Sequence, residues 1–199
     1  MKKAYFLLPV ADQTVARHFA HITLWTQSGN TALVGAFTRG GDIYAARVDQ
    51  ALGNIGHGKY MSRFFTYLGA IKKIVGVTKG VDAAFAYTLD NFYLLWIASL
   101  IGSPKLKLVF FVLDIREVLI GDSLKNRVMR FFMRLAFMRS NVVVVSSSDF
   151  IDKFANKWLR YTPKNWLEIE NKTLLDASQP SLHESNFSLK IPSGGLVIG

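Results

Sequence analysis

The 199-residue chain has no cysteine. Disulfides, thiolate metal sites and thiol nucleophiles are therefore excluded, and a reducing compartment is permitted. Acidic residues are few: 14 Asp and Glu stand against 24 Lys and Arg, a formal net charge of +10. Such an excess favours an anionic partner, whether nucleic acid, an acidic membrane surface or a phosphorylated substrate. Long apolar runs are missing too. The opening MKKAYFLLPV starts like a secretory leader, but its apolar run stops at Val10 and no small-residue cleavage site follows. The longest other run, from Phe92 to Gly102, has about half the residues a bilayer span needs. No transmembrane segment is expected.

Glycine-rich phosphate loops are absent. No GxxxxGKS occurs, no GxGxxG follows a strand, and the turn after the first strand, PVADQ, holds no glycine. This argues against a nucleotide seated at the first helix N-terminus, and against a small nicotinamide-type reductase. His18, His21, His57 and His183 show no metal-ligand spacing with carboxylates, so neither a metal nor a cofactor is expected. His18 and His21 read as partly buried helix residues. No GxSxG elbow is present.

What is there alternates. Ala4 to Val10 reads as a strand and Asp12 to Ser28 as a helix, with Val15, Phe19, Ile22 and Trp25 near the 3.6-residue period. Strands follow at Ala32 to Phe37, Ala83 to Tyr87, Leu106 to Leu113, Asn141 to Ser146 and Trp166 to Glu170. Helices are predicted at Lys59 to Val77, Leu89 to Gly102, Ser123 to Arg139 and Ser148 to Leu159, the last capped by Ser148 or Asp149. Asp42 to Gly58 is ambiguous between a short strand and a loop. Repeated βαβ units imply an α/β fold: a Rossmann-like, mostly parallel sheet of six or seven strands with helices on both faces. After Asn171 the chain turns polar and loses periodicity, which suggests a linker.

In KLKLVFFVLDIREVLIGD, residues 105 to 122, an apolar strand is followed at once by Asp114, Arg116 and Glu117. Three charges in four residues cannot follow the strand into a core. They lie at its carboxyl end, where ligands of such sheets bind. A plain capping Asp and a surface Arg–Glu pair explain them equally well. Ser146, Ser147 and Ser148 sit at a strand-to-helix turn, as a helix cap or as a hydroxyl and amide cluster for an anion or a sugar. Basic residues are organised as well. Arg127, Arg130 and Arg134 form an i, i+3, i+7 stripe beside Met129, Phe131 and Phe132. Lys59, Arg63, Lys72 and Lys73 mark the other long helix beside Phe64, Phe65 and Tyr67. A charge stripe is usually a solvated face, but arginines bordering large apolar groups also suit anionic lipid headgroups. No nucleic-acid-binding module is recognisable, and nucleic acid is not expected as a partner.

Three pieces carry a resemblance: DAAFAYTLDNFYLLWIASLIGSPKLKLVFFVLDIRE, RVMRFFMRLAFMRSNVVVVSSSDFIDKF and WLEIENK. In order and spacing they resemble the N-terminal, acceptor-binding domain of GT-B glycosyltransferases of family 4 type, as in bacterial surface-polysaccharide synthesis. The likeness spans most of residues 4 to 175. It departs from the family at the first turn, where Pro9-Val10-Ala11-Asp12 replaces a Gly-Gly pair. The resemblance implies a Rossmann-like domain over residues 1–175, with 176–199 a linker and the first residues of a missing donor-binding domain. It implies the acceptor half of a retaining, metal-independent hexosyltransferase, peripheral on the inner, cytoplasmic face of the cell membrane. A nucleotide-sugar would be held only with a second domain, and the acceptor would be lipid-linked. Asp12, Asp90, Asn91, Asp114, Arg116, Ser146 and Ser147 become candidate acceptor contacts. Lys59, Arg63, Lys72, Lys73, Arg127, Arg130 and Arg134 become membrane-facing candidates. The alternative is a non-catalytic partner or membrane-docking subunit of a two-chain transferase.

Overall fold

A computed structural model describes residues 1–10, 16–39, 48–56, 60–112 and 117–169, without the side chains of 16–18 and 60. The expected alternation is present. Seven strands form one parallel sheet: β1 (Lys3–Leu8), β2 (Thr31–Thr38), β3 (Gln50–Asn54), β4 (Ala83–Ala86), β5 (Lys107–Val112), β6 (Val142–Val145) and β7 (Trp166–Glu168), in the order β3-β2-β1-β4-β5-β6-β7. Four α-helices connect them: α1 (Ala16–Gln27), α2 (Tyr60–Thr78), α3 (Leu89–Gly102) and α4 (Leu124–Arg139). A short 3-10 turn spans Glu117–Leu119, and a π-helix spans Phe150–Leu159 between β6 and β7.

The central strands are apolar on both faces, as a parallel sheet covered on both sides requires. Val109, Phe111, Val143 and Val145 are all buried. Alternation sends Tyr5, Leu7, Phe110, Val112, Val143 and Val145 to one face, against α2, α3, α4 and the π-helix. Phe6, Phe85, Val109, Phe111 and Val144 go to the other, where α1 brings Phe19, Ile22 and Trp25. The helical cover is unequal because only the β1-to-β2 and β2-to-β3 steps run opposite to the later ones, and among the described residues only the first of these carries a helix, which a right-handed crossover places on the far side. Within that second layer Phe6 stacks on Phe85 at 4.5 Å, and Trp25 meets both edge-on. His21 is the partly buried helix residue expected: its ring stacks on Phe111, and its Nδ1 is 3.3 Å from the Tyr87 hydroxyl.

Boundaries follow local chemistry. Gly29, at φ +75°, ends α1 in the left-handed region that glycine enters at least cost. Ser123 caps α4 by accepting from the Asn126 amide. The ambiguous segment contains the edge strand β3, which joins β2 with a register irregularity between Ala36 and Phe37. The last strand is shorter than expected, ending at Glu168 rather than Glu170. The linker and partial domain expected at 176–199 lie outside the described residues.

Candidate functional site

All seven strands end on one rim. β1 and β4 are neighbours, yet the chain leaves them in opposite directions, toward β3 and toward β7. Such a switch point opens a crevice beyond the strand ends. Leu7 of β1 pairs with Ala86 of β4, two residues before Thr88. Thr88 is the N-cap of α3, its hydroxyl accepting from the Asn91 amide, and this places Asp90 in the helix's first turn. A carboxylate is favoured there by the helix dipole, and Asp90 is exposed at the rim.

Asn91 is different. It is 2% exposed, and its Nδ2 donates to the Leu7 carbonyl at 2.9 Å. Its amide nitrogen is committed to tying α3 to the end of β1, so it holds the two walls of the crevice at a fixed spacing. Ser147 also has a local partner: its hydroxyl accepts from the Asp149 amide at 3.3 Å. The N-cap position of the last helical segment is Asp149, one of the two residues expected. Asp149 already has helical dihedrals, makes no cap bond, and pairs instead with Lys153 at 2.7 Å. Ser146 lies just beyond β6 at the same rim. Asp12, Asp114 and Arg116 lie outside the described residues, as does Lys59.

The basic side chains divide. Lys72, Arg127 and Arg134 are exposed. Arg130 is not: it donates to the Leu119 and Gly121 carbonyls and lies over the Trp158 ring. Lys73 bonds the Ala51 carbonyl at 2.8 Å, fastening α2 to the edge strand. Around the exposed cations stand bare apolar groups: Met61, Phe64, Phe65 and Leu68 on α2, and Leu124, Phe131 and Phe132 on α4. Phe65 is 64% exposed and Phe131 62%, which is far from the burial such side chains normally gain.

Arg63, in the first turns of α2, has a partner of its own. It is half-buried, with Nε donating to the Gly56 carbonyl at 3.0 Å. One turn along α2, Tyr67 packs edge-on against Phe37. Burial first, then the Asp90 charge, holds the Tyr67 hydroxyl above its ordinary pKa, while the positive charges of Arg63 and Arg39 act the other way. The phenol therefore keeps its proton and remains a donor. Arg39 directly follows β2, Arg63 and Tyr67 lie in the first turns of α2, and Asp90 lies in the first turn of α3, all on the strand-end rim. Arg39 and Tyr67 are not among the sequence-derived candidates, and Arg63 was placed on the membrane side. The available signal was the one applied to Asp114: a charge directly after an apolar strand lies on the rim, and Thr38-Arg39 fits it.

No protein-family model and no curated protein matches the sequence. Solved structures do match in fold. Anabaena HepE (Alr3699) in complex with UDP and glucose aligns over 84% of this chain and 44% of its own, with a TM-score of 0.55 and 19% identity. Sucrose-phosphate synthase from Thermosynechococcus elongatus aligns over 87% and 49%, at 0.60 and 11%. An alpha-glucosyltransferase in complex with UDP and a 13-mer DNA containing a HMU base aligns over 83% and 41%, at 0.50 and 8%. These are glycosyltransferases of GT-B architecture. The chain spans less than half the length of each, and the likeness establishes the Rossmann-like fold.

Proposed function

We propose that this chain is the acceptor-binding half of a glycosyltransferase of bacterial surface-polysaccharide synthesis. It works with a nucleotide-sugar held by a second domain and a lipid-linked acceptor presented at the membrane. The observation that carries the reading is the match to under half of several GT-B transferases, combined with a strand-end rim of hydroxyl- and anion-binding side chains. Sugar transfer needs both reactants held in line, and the rate gained by positioning is lost when one is free in solution. Asp90 offers a carboxylate for acceptor hydroxyls. The turn PVADQ offers no glycine loop for a donor phosphate.

The bare phenylalanines and exposed cations of α2 and α4 support docking on an anionic bilayer, with apolar rings among the acyl chains and cations at the headgroups. Among the described residues no helix is long and apolar enough to cross a membrane. Nucleic acid would also satisfy the net charge, but alternation of cations with exposed Phe on two helices suits lipid better than a phosphate track. The test is calorimetry of the 199-residue chain with uridine, guanosine and adenosine diphosphate sugars. The expected result is no binding in the micromolar range and no transfer until a donor domain is added. Micromolar binding to any of them would replace this reading with a complete nucleotide site in this chain.

A further inference from the structure

We infer that the amino-end rim of the sheet, opposite the crevice, is a docking surface for an acidic, amphipathic segment of a partner protein. The strands are all parallel, so the segments that enter them share one edge. Cations line that edge. Lys2 and Lys3 stand at the start of β1, Lys79 precedes β4, Lys105 and Lys107 flank the start of β5, Arg139 ends α4 just before β6, and Lys164 precedes β7. Each of them is exposed. β1, β4, β5, β6 and β7 are consecutive in the sheet, so these charges form a row about 19 Å long. Among the described residues entering these strands the single carboxylate is Asp82, and its Oδ2 accepts from the Lys3 amide at 2.8 Å. The one salt bridge among the described residues joins Lys153 to Asp149, away from this edge.

The row is fixed in place and has apolar neighbours. Asparagine side chains tie the strand entries to one another. Asn30 Oδ1 accepts from the Lys2 amide at 2.9 Å, Asn141 Oδ1 accepts from the Leu108 amide at 2.7 Å, and Asn165 Nδ2 donates to the Asn141 carbonyl at 3.1 Å. The backbone that carries the cations is thus set before a partner arrives, which lowers the ordering cost of binding. A helix that crosses between parallel strands runs back along them, so the last turns of α3 and α4 reach the same edge. There Leu100 and Ile101 are 63% and 65% exposed, and Met138 is 52% exposed. Lys79 passes the end of α3, where a Cβ built on Gly102 would lie 3.5 Å from its Cε. The Arg139 guanidinium lies 5.3 Å over the Trp96 ring, one turn before Leu100. Bare aliphatic groups are therefore bracketed by cations. Nucleic acid would match the cations and leave the aliphatics unmatched. A second copy would bring a like net charge of +10 and be repelled. A bilayer here would lie about one six-residue strand, roughly 20 Å, from the crevice. Resting on the acceptor-half reading, that distance would hold the crevice away from a lipid-linked acceptor. An acidic protein segment with apolar side chains matches both features and leaves the crevice open.

The intact chain is titrated, by fluorescence anisotropy, into a labelled synthetic amphipathic helix of Glu and Leu. Poly-glutamate, single-stranded DNA and phosphatidylglycerol vesicles serve as competitors. The Glu–Leu helix should bind in the micromolar range, more tightly than poly-glutamate, and less tightly as salt is raised. Lys79/Lys105/Arg139→Gln should weaken it by about tenfold, the sum of three exposed ion pairs of ordinary strength. Leu100/Ile101→Ser should weaken it by a similar factor through lost apolar contact, and should remove its advantage over poly-glutamate. All five positions are exposed, so both variants should fold as the parent does. Lys72/Arg127/Arg134→Ser removes the same number of charges from the outer face of α2 and α4, and should leave peptide binding within about twofold, as charges beyond a Debye length act weakly. An equal loss in that control would reduce the effect to net charge and overturn the proposal. Absence of peptide binding, or equal binding by the rim variants, would overturn it as well. If the rim variants lost vesicle or DNA binding and kept the peptide, the surface would belong to lipid or nucleic acid instead. No arm contains a sugar or a nucleotide-sugar, so this surface can fail while the acceptor-half reading stands, and the reverse.

Discussion

Gly35 faces the phenol of Tyr5, and a Cβ built there would lie 1.8 Å from the hydroxyl oxygen. The hydroxyl is buried and donates to Gln50 Oε1 at 2.8 Å, so the ring cannot swing away without breaking that bond. Gly35→Ala should therefore destabilise the fold by about 1–3 kcal/mol through overpacking. Adding Tyr5→Phe should recover part of the loss. Urea midpoints of the two variants check this, and equal midpoints would show that the sheet can absorb the methyl. Val143 makes a harsher case. It is fully buried at the centre of β6, where a carboxylate has no partner and must be neutralised or exposed. Val143→Asp should abolish soluble expression, measured by fractionation of the lysate.

At the scale of the element, α2 and α4 are each amphipathic toward the sheet and only partly polar outside. Their inner residues Ala70, Ile74, Met133, Ala136 and Phe137 fill the core, while Phe64, Phe65, Phe131 and Phe132 remain outside. If these surfaces meet lipid, Lys72/Arg127/Arg134→Ser should reduce binding to anionic vesicles, each charge contributing about 1 kcal/mol. Added salt should weaken the wild type. Phe131/Phe132→Ser should reduce binding in a way salt does not mimic. Co-sedimentation separates the cases, and equal pelleting of all forms would remove the membrane reading. Arg130 is left out of the variant because its bonds to Leu119 and Gly121 fix the segment before α4.

For the whole molecule, the order β3-β2-β1-β4-β5-β6-β7 places the switch point between β1 and β4. Asn91 spans it by its bond to Leu7. Asn91→Ala would leave that buried carbonyl without its side-chain donor, at a cost of about 1–3 kcal/mol. A thermal midpoint measures it, and an unchanged midpoint would show that the Leu7 carbonyl finds another donor.

The sequence alone determined the layered α/β fold. KLVFFV and VVVV can only be satisfied between two covers, and the helices between strands are long enough to cross back over the sheet. It also implied that charges gather at strand ends, because burial forbids them elsewhere, and Arg39 directly after β2 is a described case. Tertiary structure decided three other matters. QALGN has no β-branched residue, so β3 exists through its pairing with β2 rather than through propensity. The last helix is wound as a π-helix, a choice of backbone bonding that side-chain periodicity does not record. Arg39, Tyr67 and Asp90 share no local pattern; they fall on one rim because β2, β1 and β4 lie side by side, and strand order is a property of the folded sheet rather than of any segment in it.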